Sequence, residues 1–216
     1  MGAIIEIGQG NTYFNKLLAQ MRDKQAQQDR ARFRHNMKRC GQILAYEMSR
    51  HFEYQTHEVH TPLGSTSMAL PVSEPVICSI LRAGIPFHDG LLDFYEDADN
   101  AFVSAYRQHT VGDKFIIKLD YMAAPELNDR LLIMADPMIA TGRSMITAWE
   151  ALMEKGTPAR VFIASIIASE EGIAYVRSHL PGALIFVGAI DAELTARSYI
   201  VPGLGDAGDL AFGLKE

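Results

Sequence analysis

One stretch of the chain joins an apolar run, a carboxylate and a helix start: residues 131–144 read LLIMADPMIATGRS. The run over 131–135 predicts a buried strand, and Asp136 stands at its tip, where it could accept hydrogen bonds from ribose hydroxyls. The small and hydroxyl residues that follow run into a helix, whose backbone N–H groups could surround a phosphate with help from Thr141 and Ser144. A capped helix with a turn aspartate is the plain alternative. The stretch predicts a phosphate-binding loop on an α/β sheet.

Short apolar runs alternate with helical patterns on both sides of this stretch. Further strands are predicted over residues 76–81, 101–106, 161–168 and 184–190, with a hairpin arm over 115–119. Helices are predicted over residues 87–95, 144–155 and 170–180, the last of them capped by Ser169. Because parallel strands need crossover helices, this alternation predicts an open, mostly parallel sheet with helices on both faces.

The region before residue 72 carries two helical stripes and a hairpin pattern. Apolar spacing predicts a helix over 13–21, capped by Asn11 or Thr12, and a second over 33–48 that forms core or a dimer face. Alternation and a turn sequence predict a hairpin around residues 55–64. A single domain, 1–216, is expected, which divides into an N-terminal helical attachment (1–54), an α/β core (72–192) and a C-terminal segment (193–216).

Composition and charge argue against several classes of protein. The chain has 216 residues, of which 48% are apolar and 21% charged, an ordinary globular balance. Its net charge of −6 argues against a nucleic-acid binder, which needs a basic face. Cys40 and Cys78 form no zinc or disulfide motif, so we expect both to be reduced and buried. Without a signal-peptide pattern or an apolar run of roughly 20 residues, no membrane contact and a cytoplasmic location are expected.

Arginines follow two of the predicted strands. Arg82 comes directly after the strand over 76–81, and Arg107 directly after the strand over 101–106. In an open parallel sheet, ligands bind beyond the carboxyl ends of the strands, so both side chains are expected near the phosphate loop. Each could otherwise belong to a surface ion pair. Two arginines beside one phosphate loop indicate a ligand with several phosphates.

A glycine-rich segment near the C-terminus reads YIVPGLGDAGD over residues 199–209. It matches the dinucleotide pattern G-x-G-x-x-G in form. However, Pro202 precedes the glycines, and too few residues follow them for the helix and second strand that the pattern requires. Backbone brought close to a flat ligand explains the glycines better, with a flexible tail as the plain alternative.

The histidines give no site by their spacing. His57 and His60 would face opposite sides of a strand, which does not favour a metal site. His88, His109 and His179 have no cysteine or serine partner at a motif distance. The sequence therefore does not support a hydrolase triad.

Taken together, these loops resemble uracil phosphoribosyltransferases, a family with the type I phosphoribosyltransferase fold. The resemblance runs from about Arg22 to the end of the chain, and the segments 136–142 and 199–209 carry most of its specificity. The other matching stretches are residues 45–47, 61–64, 80–84, 106–107 and 189–191. The resemblance implies that the parallel sheet carries an N-terminal helical segment, a small hairpin and a C-terminal hood.

The resemblance also implies a reaction and site residues. Members of the family make UMP and pyrophosphate from uracil and 5-phosphoribosyl-1-pyrophosphate (PRPP), with Mg²⁺ that is held through PRPP and not by protein side chains. The catalytic residues would be Arg82, Arg107 and Asp136. PRPP would be bound by Arg82, Arg107, Asp136, Pro137, Met138, Ile139, Ala140, Thr141, Gly142, Arg143, Ser144 and Asp206. Uracil would be bound, mostly through backbone atoms, by Ile200, Gly205, Asp206 and Ala207.

The chain departs from the family pattern beside these site residues. Arg143 stands where the family usually has a second glycine, and Gln108 follows Arg107 in a stretch where the family usually has an acidic residue. The residues over 85–87 are also less glycine-like than the family continuation. These departures bear on the geometry of the phosphate and pyrophosphate loops more than on the reaction type.

Partners and alternatives complete the expectations. Family precedent favours a homodimer or a higher homo-oligomer, and some members are activated by GTP, for which this sequence holds no deciding motif. The first alternative is a non-catalytic regulator of the same fold that senses PRPP or a nucleotide. The net charge of −6 disfavours such a regulator acting on RNA or DNA. A dinucleotide-dependent oxidoreductase would rest only on the glycine match already rejected.

Overall fold

The computed structural model describes residues 2–109 and 115–214, and within these ranges the side chains of residues 105–109 and 115–119 are not described. The strands are β1 (Ile4–Glu6), β2 (Tyr54–Thr61), β3 (Gly64–Pro71), β4 (Val76–Leu81), β5 (Asp99–His109), β6 (Phe115–Ala123), β7 (Leu131–Ala135), β8 (Met138–Ile139), β9 (Arg160–Ser169), β10 (Leu184–Asp191), β11 (Glu193–Leu194) and β12 (Ile200–Val201). The helices are α1 (Tyr13–Arg22), α2 (Arg30–Ser49), α3 (Ile85–Leu92), α4 (Arg143–Leu152), α5 (Glu170–His179) and α6 (Ala207–Phe212).

The central sheet is open and mostly parallel, which confirms the predicted fold class. Its strands lie in the order β1-β10-β9-β7-β4-β5-β6, and β8 pairs with β9 beside this path. Strand β6 pairs antiparallel with β5, as the predicted hairpin arm requires, although it continues to Ala123. The chain leaves β4 toward β5 on one side and returns through β7 on the other, so the strand order reverses between β4 and β7. Such a reversal opens a crevice for a ligand at the carboxyl ends of the strands.

Two hydrophobic clusters cover the two faces of the sheet. Side chains alternate along β7: Ile133 belongs to the cluster that holds the buried residues of α1, α2 and α3, whereas Leu132 and Met134 belong to the cluster of α4 and α5. This alternation is the ordinary period of a strand that is buried on both faces. Helices therefore cover both faces, as the sequence predicts.

The second N-terminal stripe forms part of the core. In α2 the apolar residues at helical spacing are at most 1% exposed, and they belong to the cluster on the sheet face that α1 and α3 cover: Phe33, Met37, Cys40, Leu44 and Met48. Of the two predicted uses of this stripe, packing on the protein's own sheet is confirmed. Cys40 and Cys78 are free and buried, as expected, and burial raises the pKa of both thiols.

The predicted hairpin extends away from both clusters. Strands β2 and β3 pair from Tyr54 with Pro71 to Thr61 with Gly64, around a two-residue turn. Every residue of the two strands except Val59 is exposed, and no described residue of 54–71 belongs to either cluster. The hairpin is thus longer than its turn sequence predicts.

Several boundaries differ from the sequence predictions. Helix α3 begins at Ile85 and ends at Leu92, not over 87–95, because Pro86 fits the first turn of a helix. Helix α4 gives way after Leu152 to a 3-10 turn over 153–155. Strands β1, β8, β11 and β12 and helix α6 were not predicted. Across the described ranges, none of the helices combines the length and apolar character needed to cross a bilayer.

Candidate functional site

The loop after β7 lines a small cavity at the sheet edge. The cavity has a volume of about 40 Å³, and its lining is Asp136, Met138, Ile139, Ala140, Thr141, Gly142, Ser144 and Met145. Most of the predicted phosphate loop therefore surrounds one space, and Met145 joins it. Pro137 and Arg143 are not in the lining: the Pro137 carbonyl accepts the N–H groups of Ile166 and Ile167, both at 3.1 Å, and the Arg143 guanidinium lies 5.6 Å from the centre of the Tyr175 ring.

The local backbone explains why this space stays open. Gly142 is the N-cap residue of α4 and has a φ of +74°, and the helix has no side-chain cap. A Cβ at Gly142 would lie 2.8 Å from Gly172 O, so a larger residue does not fit. Of the plain alternative, a side-chain cap on the helix is not found at Gly142. The turn aspartate is present, because Asp136 Oδ1 accepts the Met138 N–H at 3.2 Å. The N–H groups at the start of α4 adjoin the cavity and can bind an anion.

Arg82 connects the loop after β4 to helix α6. Its Nη2 donates to Asp209 Oδ1 at 2.8 Å and to Gly213 O at 2.7 Å. Its Nε is buried and has no hydrogen-bond partner within the described ranges. The sequence places Arg82 at the end of a strand, where the structure has it. It does not reveal Asp209, because no local pattern joins residues 127 positions apart.

Arg107 lies in β5, where its backbone pairs with Ile117 of β6. The strand continues through Arg107 to His109, so this arginine does not follow the strand end as the sequence predicts. Its side chain lies outside the described part of the molecule. The place of Arg107 relative to the cavity therefore stays a prediction.

The glycine-rich segment is ordered by a turn and by α6. Ile200 and Ala207 are buried in the same hydrophobic cluster as Ala135 of β7, and Met138 of the loop after β7 packs against that cluster. Asp206 is the N-cap residue of α6, and its Oδ1 accepts the Asp209 N–H at 3.0 Å. These contacts show that the segment belongs to the folded body, so the flexible-tail alternative is wrong.

The same segment approaches the Arg82 loop closely. A Cβ built at Gly208 would lie 3.2 Å from Asp206 Oδ1, 3.7 Å from Arg82 Nε and 3.8 Å from Ala83 Cβ. Gly205, in the same segment, has a φ of +97°. The structure therefore brings the carboxylate of Asp206 and the guanidinium of Arg82 to one place. The predicted role of the glycines, to bring backbone close to a flat ligand, stays a prediction.

A pair of charged residues that the sequence analysis did not assign holds this segment from the other side. Asp191, the last residue of β10, pairs with Arg22 of α1 and also accepts the Gly203 N–H. The signal that marks Asp136, a carboxylate at the end of an apolar strand, is present at Asp191 as well. Its arginine partner, however, is 169 positions away in the sequence.

A buried polar chain lies directly beneath the Arg82 loop. Ser79 Oγ lies 2.8 Å from His88 Nδ1, and His88 Nε2 lies 2.7 Å from Asn100 Oδ1. Because the Asn100 amide nitrogen donates to Ala98 O at 3.0 Å, its oxygen faces the imidazole, so Nε2 carries the proton and Nδ1 accepts from Ser79. Burial lowers the pKa of His88, against a smaller opposing effect of the Asn100 hydrogen bond.

This chain corrects one sequence prediction. His88 does have a serine partner in Ser79, and on the surface His179 has one in Ser178, whose Oγ lies 3.0 Å from His179 Nδ1, although the spacing did not reveal either. Ser79 is fully buried and His88 is 3% exposed, so neither can reach a substrate as a nucleophile or base would have to. The prediction that the protein is not a triad hydrolase is unaffected.

Comparison with known proteins gives consistent matches. The family model described as uracil phosphoribosyltransferase matches residues 10–214. A uracil phosphoribosyltransferase of Porphyromonas gingivalis is 46% identical over 213 residues, covering 98% of this chain and 99% of that protein. One of Pyrococcus furiosus is 37% identical over 204 residues, covering 93% and 86%. A solved structure of the AQ2163 protein from Aquifex aeolicus has a TM-score of 0.86 at 28% identity and covers 98% of both chains. The likeness in sequence and fold extends over nearly the whole chain.

Proposed function

The chain belongs to the uracil phosphoribosyltransferase family, and we propose that the sheet edge at the carboxyl ends of β4, β7 and β10 is where it carries out the reaction of that family. In this reaction the chain transfers the phosphoribosyl group of PRPP to uracil, giving UMP and pyrophosphate. The observation that carries the proposed location is the cavity formed by the loop after β7, at the same carboxyl edge of the sheet where Arg82 follows β4.

We propose that residues 136–144 hold the ribose 5-phosphate part of PRPP. The N–H groups at the start of α4, with Thr141 and Ser144, would bind the 5-phosphate, and Asp136 would accept hydrogen bonds from the ribose hydroxyls. The uncapped start of α4 and the open space before it support this role. Such contacts hold the sugar carbon in place for attack.

Arg82 and Arg107 would offset the charge of the departing pyrophosphate. A C–N bond forms between uracil N1 and the sugar, the N1 proton is released to solvent, and the C–O bond to pyrophosphate breaks, which leaves negative charge on the leaving group. The task of the protein is therefore positioning and electrostatic stabilisation, without a covalent nucleophile. The buried Nε of Arg82 supports a role for this side chain toward an anion, since it can still donate one hydrogen bond.

The segment from Ile200 to Ala207 would bind the base. Uracil presents an acceptor, a donor and an acceptor along one edge, whereas cytosine replaces one carbonyl with an amino group. Fixed main-chain N–H and C=O groups at Gly205, Asp206 and Ala207 would be left unpaired against cytosine, and this favours uracil strongly. The positive φ of Gly205 supports a close approach of backbone to a flat ligand.

Mg²⁺ fits this site as a companion of PRPP. Among the residues that the structure describes, no group of three or more His, Cys, Asp or Glu side chains could hold a metal ion. Mg²⁺ commonly keeps several waters and binds to substrate phosphates, so the ion would be held through PRPP. When bound, the ion would neutralise part of the charge on the pyrophosphate group.

Further properties of the family are carried over as proposals. We propose that the chain, 1–216, acts as one unit in the cytoplasm and assembles as a homodimer or a higher homo-oligomer. For GTP, turnover measured with and without the nucleotide will decide whether it is an activator. The exposed hairpin β2–β3 supports self-association, because an isolated hairpin is marginally stable in water.

A base-panel assay tests the proposed function. Purified protein is incubated with PRPP, Mg²⁺ and one of uracil, cytosine, adenine, guanine or hypoxanthine, and pyrophosphate release is measured. Release with uracil alone is expected. Turnover with a purine and not with uracil would assign the protein to another base. PRPP binding without turnover of any base would favour a regulator.

A further inference from the structure

Asp191 and Arg22 form a two-pronged ion pair at the end of the sheet. Arg22 Nη2 donates to Asp191 Oδ1 at 2.8 Å, and Arg22 Nη1 donates to Asp191 Oδ2 at 2.7 Å. The Asp191 side chain is 8% exposed and that of Arg22 is 22% exposed. Paired bonds of this kind fix the direction of both side chains as well as their distance. The last turn of α1 is thereby joined to the carboxyl end of β10.

The ion pair also binds both polar groups of one backbone residue. The Gly203 N–H donates to Asp191 Oδ2 at 3.0 Å, and Arg22 Nη1 donates to Gly203 O at 3.0 Å. Gly203 is buried and has a φ of +57°, and a Cβ there would lie 2.0 Å from Ile200 O. A turn that only glycine can adopt is therefore held by two charged side chains from elsewhere in the chain.

This turn lies in the middle of the proposed base segment. Ile200 comes before Gly203, and Gly205, Asp206 and Ala207 come after it. Recognition of a base through main-chain groups requires those groups to be held at fixed positions, because a shift of one bond length breaks several hydrogen bonds at once. The three residues Arg22, Asp191 and Gly203, which we call the turn clamp, are placed to provide this.

We propose that Asp191 is a positioning residue for base recognition, which acts through the turn clamp and touches no substrate atom. The inference rests on the proposed assignment of Ile200 to Ala207 to uracil. Removing the charge of Asp191 weakens its bonds to Arg22 and leaves the backbone groups of Gly203 poorly paired. The turn then samples other positions, and the base loses affinity while PRPP does not.

The test compares Asp191→Asn and Arg22→Lys with the wild type in steady-state assays that vary uracil and PRPP separately. Asparagine keeps the shape of the side chain, and lysine keeps the charge of Arg22 without its paired nitrogens. Each variant is expected to raise KM for uracil roughly tenfold, to leave KM for PRPP within about twofold, and to narrow the preference for uracil over cytosine. Asp93→Asn is the matched control, because Asp93 pairs with Lys38 at 2.8 Å on the surface, with side chains 42% and 37% exposed. It should leave both KM values unchanged.

Each outcome decides for or against the clamp. An unchanged KM for uracil in both variants, even with a lowered unfolding midpoint, would make the ion pair purely structural and overturn the proposal. An equal rise in both KM values would also overturn it. Should Asp191→Asn fail to fold, Arg22→Lys alone decides by the same two readings. If the wild type does not turn over uracil, the proposed function fails. If the wild type turns over uracil and both variants have the same KM values as the wild type, only the turn clamp proposal fails.

Discussion

At the scale of single residues, Asp206 combines a structural and a proposed substrate role. Its carboxylate caps α6, and asparagine caps a helix as well as aspartate does. Asp206→Asn should therefore leave the unfolding midpoint unchanged while it removes the charge proposed to face the substrates. We expect kcat to fall by roughly 10²-fold, the scale of losing one electrostatic contact in a transition state.

The aspartate that caps α2 supplies the control for this change. Asp29 accepts the Arg32 N–H at 3.0 Å, as Asp206 accepts that of Asp209. Asp29→Asn should change neither kcat nor the midpoint of thermal unfolding. If Asp206→Asn kept the kcat of the wild type, Asp206 would serve only as a helix cap. In that case Asp206→Ala should lower the free energy of unfolding by about 1 kcal/mol, through loss of the cap, and leave kcat unchanged.

His88 gives the protein a pH dependence of stability. Because burial lowers the pKa of His88, the folded protein holds a neutral imidazole, whereas the unfolded chain binds a proton near pH 6.5. The contribution of His88 to stability is therefore fully present above about pH 6.5 and is lost as the pH falls toward the lower pKa of the folded state.

Denaturant unfolding at about pH 7.5 and about pH 5.5 measures this effect. The wild type should lose more stability on acidification than His88→Gln, whose amide does not titrate. His179→Gln changes an exposed imidazole at the end of α5, and it should lose as much stability on acidification as the wild type does. Equal losses in the wild type and His88→Gln would show that His88 does not carry the effect.

Some residues of the site could be predicted from the sequence next to them, and others could not. Asp136 and Arg82 follow apolar strands directly, so their place at the sheet edge could be predicted from the fold class alone. Asp209 and Asp191 bind arginines 127 and 169 positions away. These pairings depend on how helices pack onto the sheet. A local sequence pattern contains no information about such packing, so the pairings could not be predicted.

At the scale of elements, the ion pair between Arg82 and Asp209 ties α6 to the loop after β4. The proposed pyrophosphate would use the same guanidinium, so Asp209 competes with it. Asp209→Asn is expected to lower the Kd for pyrophosphate by roughly two- to fivefold, since a partly exposed pair is worth about 0.2–1 kcal/mol. Calorimetric titration with magnesium pyrophosphate measures this change.

A second ion pair at the opposite end of the strands serves as the control. Asp99, the first residue of β5, pairs with Arg130 at 2.9 Å. Asp99→Asn should leave the Kd for pyrophosphate as it is in the wild type. Weaker binding in Asp209→Asn would show instead that Asp209 helps to orient Arg82 for the anion.

The elements that sequence patterns missed are the shortest ones. Strand β1 has three residues and β8 has two, too few for a period of two to be recognised. Both exist because a neighbouring strand offers hydrogen bonds: β1 pairs with β10 and β8 with β9. The long strands and helices, by contrast, repeat their periodicity often enough to be recognised. The start of α3 was missed because Pro86 was not used as a signal for a first turn.

At the scale of the whole molecule, the hairpin β2–β3 is the surface on which the proposed self-association can be tested. Met68 and Leu70 lie on one face of the hairpin and are 50% and 39% exposed. We expect the wild type to have the mass of a dimer by light scattering. Met68→Lys should have a higher dissociation constant, so that it is a monomer at concentrations at which the wild type is still a dimer. Ser67→Lys, on the other face of β3, should keep the dimer. A monomeric wild type, or equal masses for all three proteins, would contradict this.

Strand β1 has a consequence for how the sheet ends. It occupies the outer side of β10, where Ile4, Ile5 and Glu6 pair with Ile185, Phe186 and Val187, and the pairing continues through Ile7 N and Val187 O at 2.8 Å. Without these few residues, β10 would offer a row of unsatisfied backbone groups to any extended peptide. The three residues of β1 thus protect the edge of β10 from pairing with other chains. The last residue of the same strand, Asp191, holds the turn at Gly203.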